Sequence, residues 1–221
     1  MKNIMILSLM LVLIGSMYAL ESAPSEVVGF VKYGCVSTTG TNLNLVALPL
    51  ETGYTMASDL GNAIGADVVN VWDAAGQGWL SASNLGFMWV DDFALQDGYT
   101  YLVNILADTD VYIVGSLIIQ LGYNLITTTG TNLNLIMCPM NRSDLTMASE
   151  LGNDIGVCDV VNKWDAAGQG WLSASNLGFM WVDDFAVDIA DPLMVNVTSD
   201  TVWPSGEGDN KVSQKPAKVR K

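Results

Sequence analysis

The side chains best able to do chemistry come as two matching sets of three: Trp79, Asp91 and Asp92, then Trp171, Asp183 and Asp184. An exposed indole stacks on the apolar C–H face of a sugar ring, and nearby carboxylates accept hydrogen bonds from its hydroxyls. Two carboxylates about 5–10 Å apart across a glycosidic bond can also hydrolyse it. Adjacent aspartates on a strand point to opposite faces, so neither pair converges unaided, and a partner such as Asp73 or Asp165 is required. The chain has no histidine, which excludes Ser-His-Asp and Cys-His catalysis and imidazole metal sites. Oxygen ligands for calcium remain, since Asp73, Asp91, Asp92 and Asp97 recur in part as Asp165, Asp183, Asp184 and Asp188, but without EF-hand spacing. The expectation is no catalytic residue and no cofactor, with calcium as the one alternative.

These residues belong to a repeat. The 23 residues from Trp72 to Ala94 recur letter for letter from Trp164 to Ala186. TTGTNLNL at Thr38–Leu45 returns at Thr128–Leu135, TMAS at Thr55–Ser58 returns at Thr146–Ser149, and DVVN at Asp67–Asn70 returns at Asp159–Asn162. The spacing is 90 residues early and 92 late, so two insertions separate the copies. Such a period defines the structural unit. The expected domains are a signal peptide over 1–19, modules over 27–115 and 116–206, and a disordered basic tail over 207–221.

Lys2, the apolar run Ile4–Ile14 and the small Ala19 have the layout of an export signal, with Met17 an imperfect fit to the cleavage site. The apolar core of about 11 residues falls short of the roughly 20 needed to span a bilayer, and no later segment is a convincing span. Between Leu20 and Asn210 the 23 acids face only Lys32, Arg142 and Lys163, whereas five bases follow from Lys211. An acidic body repels nucleic acid and anionic membranes, and its contrast with the tail favours head-to-tail association that weakens with salt. The three cysteines do not recur at equivalent positions. Cys138 and Cys158 could pair as a disulfide in the second copy, or all three could be free buried thiols. Asn141 and Asn196 begin glycosylation sequons.

The elements that must position the indoles and acids read as mainly β. Val27–Tyr33 is β-rich, and Asn42–Leu48 alternates polar and apolar up to Pro49. Met56, Leu60 and Ile64 recur at helical spacing before Gly65, giving a short helix that Gly61 weakens, so packing must hold it. Asp67–Trp72 and Trp79–Ala82 make a hairpin around Ala74–Gly78, with Trp72 in the core. Tyr99–Leu106 is the clearest strand, and Val111–Val114 closes the module, with its counterpart at Thr201–Trp203. The fold class is two tandem antiparallel β-sandwich or partly open barrel modules, each with one short α-helix. The join at Thr109–Leu121 lacks spacer composition, so the modules should abut rigidly.

NLNLVALPL, ASDL with the following IG, VVNVWD with GQGW, and GYTYLVN together resemble a recurrent module of exported bacterial and archaeal surface proteins. There, a Leu-Pro-Leu strand precedes a helix, a Trp-Asp hairpin and a Gly-Tyr strand. The resemblance covers both copies and implies a secreted or cell-surface repeat protein. It brings structural punctuation and no catalytic residues. The second copy departs from it at Ala190-Asp191-Pro192, in place of Gly98-Tyr99-Thr100.

Export, duplication, the lack of histidine and the rigid join lead to a non-enzymatic structural or adhesive protein, self-associating or bound to an envelope or glycan polymer. One sugar site per module, centred on Trp79 and Trp171, is the alternative; glycoside hydrolysis by the Asp pairs is a third reading.

Overall fold

The computed structural model describes residues 28–118, 121–204 and 211–212, and the export signal expected at 1–19 lies outside them. Among the described residues the chain is mainly β, in mostly antiparallel sheets that do not close into barrels, and each half carries one helix. In the first half, β1 (Val28–Cys35), β8 (Thr109–Leu117) and β3 (Leu50–Glu51) form a three-stranded sheet in the order β1-β8-β3. The five-stranded sheet runs β2-β7-β4-β5-β6, from β2 (Leu43–Ala47), β7 (Thr100–Ile105), β4 (Ala66–Asp73), β5 (Gly78–Asn84) and β6 (Trp89–Val90).

The second half repeats the larger sheet, whereas its smaller sheet is built in a different strand order. Its five-stranded sheet has the order β10-β14-β11-β12-β13, from β10 (Leu133–Met137), β14 (Pro192–Val197), β11 (Cys158–Asp165), β12 (Gly170–Asn176) and β13 (Trp181–Val182). The smaller sheet pairs β9 (Gly122–Leu125) with β15 (Thr201–Trp203) and β16 (Lys211–Val212). The tail thus contributes one strand, parallel to β9, where disorder was expected; its other residues lie outside the description. The sequence repeat extends to bulges, which fall between Ala66 and Val68 and between Cys158 and Val160. β8 ends at Leu117 and β9 begins at Gly122, so the two strands are close in sequence.

Helices α1 (Ala57–Ile64) and α2 (Ala148–Ile155) pack against β4 and β11. The glycine that weakens each has a steric reason. The Trp89 indole lies against Gly61, where a Cβ would sit 2.2 Å from the ring, and Trp181 lies against Gly152 at 2.3 Å. Each indole N–H also donates to the neighbouring asparagine, Asn62 or Asn153. Helix propensity is traded for an aromatic seat, so tertiary packing holds the helix. Gly65 and Gly156 end the helices in the left-handed conformation, as a C-terminal glycine does.

The core is continuous across both halves. Val46, Val69, Val103, Leu135, Val161 and Val195 are all fully buried. β2 lies against β11 and β14, and β10 lies against β7, so the inner edge strand of each sheet packs on the other half. That arrangement keeps both edges from water and from stray pairing.

Candidate functional site

The turn of the β4–β5 hairpin is a clamp on the opposite half. The Trp72 indole N–H donates to the Leu133 carbonyl at 2.9 Å, and the Gln77 amide donates to the same oxygen at 3.1 Å. The Gln77 carbonyl accepts the Leu133 N–H at 3.0 Å and the Thr131 hydroxyl at 3.0 Å. The second half returns every bond. Trp164 and Gln169 donate to the Leu43 carbonyl at 2.7 and 2.9 Å, and Gln169 accepts from the Leu43 N–H and the Thr41 hydroxyl. Two tyrosines repeat the exchange: Tyr33 donates to Ala190 O and Tyr123 to Gly98 O. Contacts in which i meets j and j meets i mark a two-fold interface, which closes on itself. Gln77 and Gln169 adopt left-handed φ values of 49° and 50° to turn their amides outward.

Trp79 and Trp171 stand beside these clamps. Each indole packs edge-on against its cross-strand partner, Trp72 or Trp164, with centroids 5.2 and 5.1 Å apart. Trp79 is half-buried and Trp171 is 39% exposed, so both keep part of a face open. Trp72 is buried at 6%, as its place in an alternating strand implied.

Asp92 and Asp184 are engaged by the fold, whereas Asp91 and Asp183 make no side-chain hydrogen bond among the described residues. Asp92 accepts the Ser58 N–H at 3.0 Å and the Ser58 hydroxyl at 2.6 Å, latching the loop after β6 onto the first turn of α1. Asp184 does the same to Ser149. A carboxylate at that end meets unpaired N–H groups and the positive pole of the helix. Asp59 and Glu150 reach back to Thr55 and Thr146, and the backbone donors there hold both carboxyls below their usual range. Asp91 and Asp183 are exposed turn residues with φ of 52° and 54°. Asp73 and Asp165 accept the Ala75 and Ala167 N–H groups, and Asp97 holds Thr52. No three acids or thiols approach as a metal cluster among the described residues.

The Cys138–Cys158 bridge is not formed: all three cysteines are free and buried. The Cys138 thiol faces Arg142 O and the Cys158 thiol faces Val160 O, in separate surroundings. Burial pushes Cys35 up to about 11, and Cys138 and Cys158 up to about 12, which suits packing and not nucleophilic chemistry. Of the sequons, Asn196 lies in β14 with its amide on Asp159, whereas Asn141 is exposed.

Two features escaped the sequence reading. The first is the clamp: Gln77 read as a turn residue, and its one mark in the sequence was a Gln in a small-residue turn between Trp72 and Trp79. The second is the loop between β5 and β6. Leu85, Phe87 and Met88 all face water there, Phe87 at 82%, and Leu177, Phe179 and Met180 repeat them with Phe179 at 83%. Each loop is closed by the Leu85 N–H on Met88 O, or Leu177 N–H on Met180 O, with Gly86 or Gly178 in the left-handed region. β5 is seven residues long, so the apolar tip lies roughly 20 Å from the clamp at its other end.

Comparison with protein-family models, with characterised proteins and with solved structures finds no match for this chain.

Proposed function

We propose that this is a non-enzymatic structural or adhesive protein of the cell surface or secreted matrix, which assembles with further copies through its two apolar loop tips. The observation that carries this reading is the pair of identical, exposed tips, Leu85-Phe87-Met88 and Leu177-Phe179-Met180. Monomeric proteins scatter single exposed apolar residues, and a cluster repeated at equivalent positions marks a contact. Burying one phenylalanine is worth about 1.5–3 kcal/mol, so one tip gives a weak contact after association entropy is met. Two tips on a rigid frame make the chain bivalent, and bivalent contacts multiply into layers. The resemblance to exported surface modules supports the same reading, with modules near 27–115 and 116–206.

Salt separates this assembly from one driven by the basic tail. Screening the repulsion between acidic bodies strengthens contact through the tips, whereas it weakens tail-to-body attraction. Sedimentation of the chain at rising salt should show larger species, reduced to monomers by Phe87→Ser with Phe179→Ser. Monomers at all salt and protein concentrations would remove the proposal. The exposed part of Trp171 keeps the sugar reading as second choice; it requires two equivalent sites, and a titration giving one site or none would end it.

A further inference from the structure

The two clamps are alike, but the space behind them is not. Behind the first, Tyr99 is 2% exposed and donates its hydroxyl to Trp72 O, Val71 and Leu125 are buried, and the Thr100 hydroxyl bonds to Ile136 O. At the equivalent positions of the second junction stand Asp191, Lys163, Cys35 and Pro192. Aspartate in place of tyrosine removes a ring, and proline in place of threonine removes the bridging hydroxyl. A cleft of about 200 Å³ opens between the halves, lined by Tyr33, Cys35, Asn44 and Leu45 on one side and Lys163, Trp164, Ala166 and Pro192 on the other. Exposure records the same difference independently. Val71, Trp72 and Ala74 are buried, while Lys163, Trp164 and Ala166 are all partly open to water.

We infer that this cleft is a binding site for one small neutral hydroxylated molecule, on the scale of a single sugar ring. The size follows from the volume, somewhat above the roughly 150 Å³ of a cavity that holds benzene. The walls are mixed: the Trp164, Tyr33, Leu45 and Pro192 side chains offer apolar faces, and Lys163 offers a donor. Lys163 Nζ bonds to Asp191 Oδ2 at 2.5 Å and to Ala186 O at 3.4 Å, and an ammonium has three N–H groups. The pairing with Asp191 cancels the lysine charge, and the acidic body opposes anions, so a neutral acceptor fits better than a carboxylate. The cleft shares no residue with the loop tips, so failure of either proposal leaves the other standing. It also differs from stacking at Trp79 and Trp171, because it predicts one site per chain.

The test uses the whole chain, with two of its seven indole N–H signals as paired reporters. Titration with glucose, N-acetylglucosamine and benzoate is followed by NMR, with Trp164 beside the cleft and Trp72 as the internal control. A neutral sugar should shift Trp164 and leave Trp72 in place, with Kd on the order of 1 mM, as suits a ligand of about twelve heavy atoms. Ala166→Leu, which fills the mouth and keeps the ion pair, should weaken binding at least about tenfold, the scale of one well-placed contact. Lys163→Val should do the same, with circular dichroism confirming the fold. No shift at tens of millimolar sugar, equal shifts at both indoles, preference for benzoate, or unchanged binding in Ala166→Leu would each overturn the site.

Discussion

The two junctions of this chain use the same clamp with different backing. At the first, Trp72 and Gln77 grip Leu133 over a filled core; at the second, Trp164 and Gln169 grip Leu43 beside a cleft. The hydrogen bonds are nearly the same length in both, so the polar contact geometry does not need close packing behind it. Packing and recognition are separable here: the repeated hairpin sets how the halves meet, and the residues at 71, 99, 100 and 125, or 163, 191, 192 and 35, set how tightly.

That contrast gives its largest expected effect at the paired indoles. Trp72→Ala should destabilise the fold by about 3–5 kcal/mol, the usual range for a buried aromatic, and Trp164→Ala by about half as much. Denaturant unfolding of both variants checks this, and equal losses would mean the second junction is as closed as the first. Gly61→Ala and Gly152→Ala sharpen the comparison from the other side. Both place a methyl into an indole ring, so each should cost about 1–3 kcal/mol, and by similar amounts, since this packing is the same in both halves.

A smaller effect is expected at the ion pair that replaces a tyrosine. Lys163→Val alone leaves Asp191 without its cation in a partly buried place, which should cost about 1–2 kcal/mol. Adding Asp191→Tyr rebuilds the first junction's combination and should recover most of that loss in a double-mutant cycle. Strict additivity would show that the two positions do not form a unit.

The smallest effect lies at Arg142, which has no counterpart in the first half. Its guanidinium bonds to Asp144 and to both oxygens of Asp154, and the Trp203 indole also donates to Asp154. The Arg142 hydrogen bonds, then the one from Trp203, hold the Asp154 carboxyl below its usual 3.8. A carboxyl lowered by folding stabilises the native state above its unfolded value, and this is lost as pH falls through the lower native value. Since Asp154 is partly exposed, Asp154→Asn should cost only about 1 kcal/mol at neutral pH, and the difference from wild type should begin to shrink below about pH 4 and vanish only once the native carboxyl is protonated at lower pH. Thermal melts across that range would show it.

Much of the local structure was legible in the chain. The alternation in NLNLVAL, the hairpin about AAGQ, the Gly65 stop and the buried Trp72 all follow from short-range rules, and each has its place in the fold. Gly61 was read as a weakness that packing must offset, and Trp89 is the packing. The site was less legible. Asp92 was singled out as an acid free for chemistry, but its partner Ser58 lies 34 residues away on the helix it caps. Gln77 was passed over because its partners lie in the other half, 54 to 56 residues on. Neither could be found by periodicity, which sees neighbours along a strand or helix and not the contacts between units. The cleft had a visible signal in the substitutions Val71 to Lys163 and Tyr99 to Asp191, but only the fold shows that those positions share a wall.

The reciprocity of the clamp also bears on how the chain can go wrong. Each clamp recognises a Thr-Asn-Leu segment that is identical in both halves, so a second chain presents the same target as the first. What directs a clamp to its own chain is the tether, which holds the partner segment at an effective concentration in the millimolar range. Below that concentration, refolding should give closed single chains. Above it, two chains can trade halves and form an exchanged pair with every native hydrogen bond intact, trapped until the halves unfold.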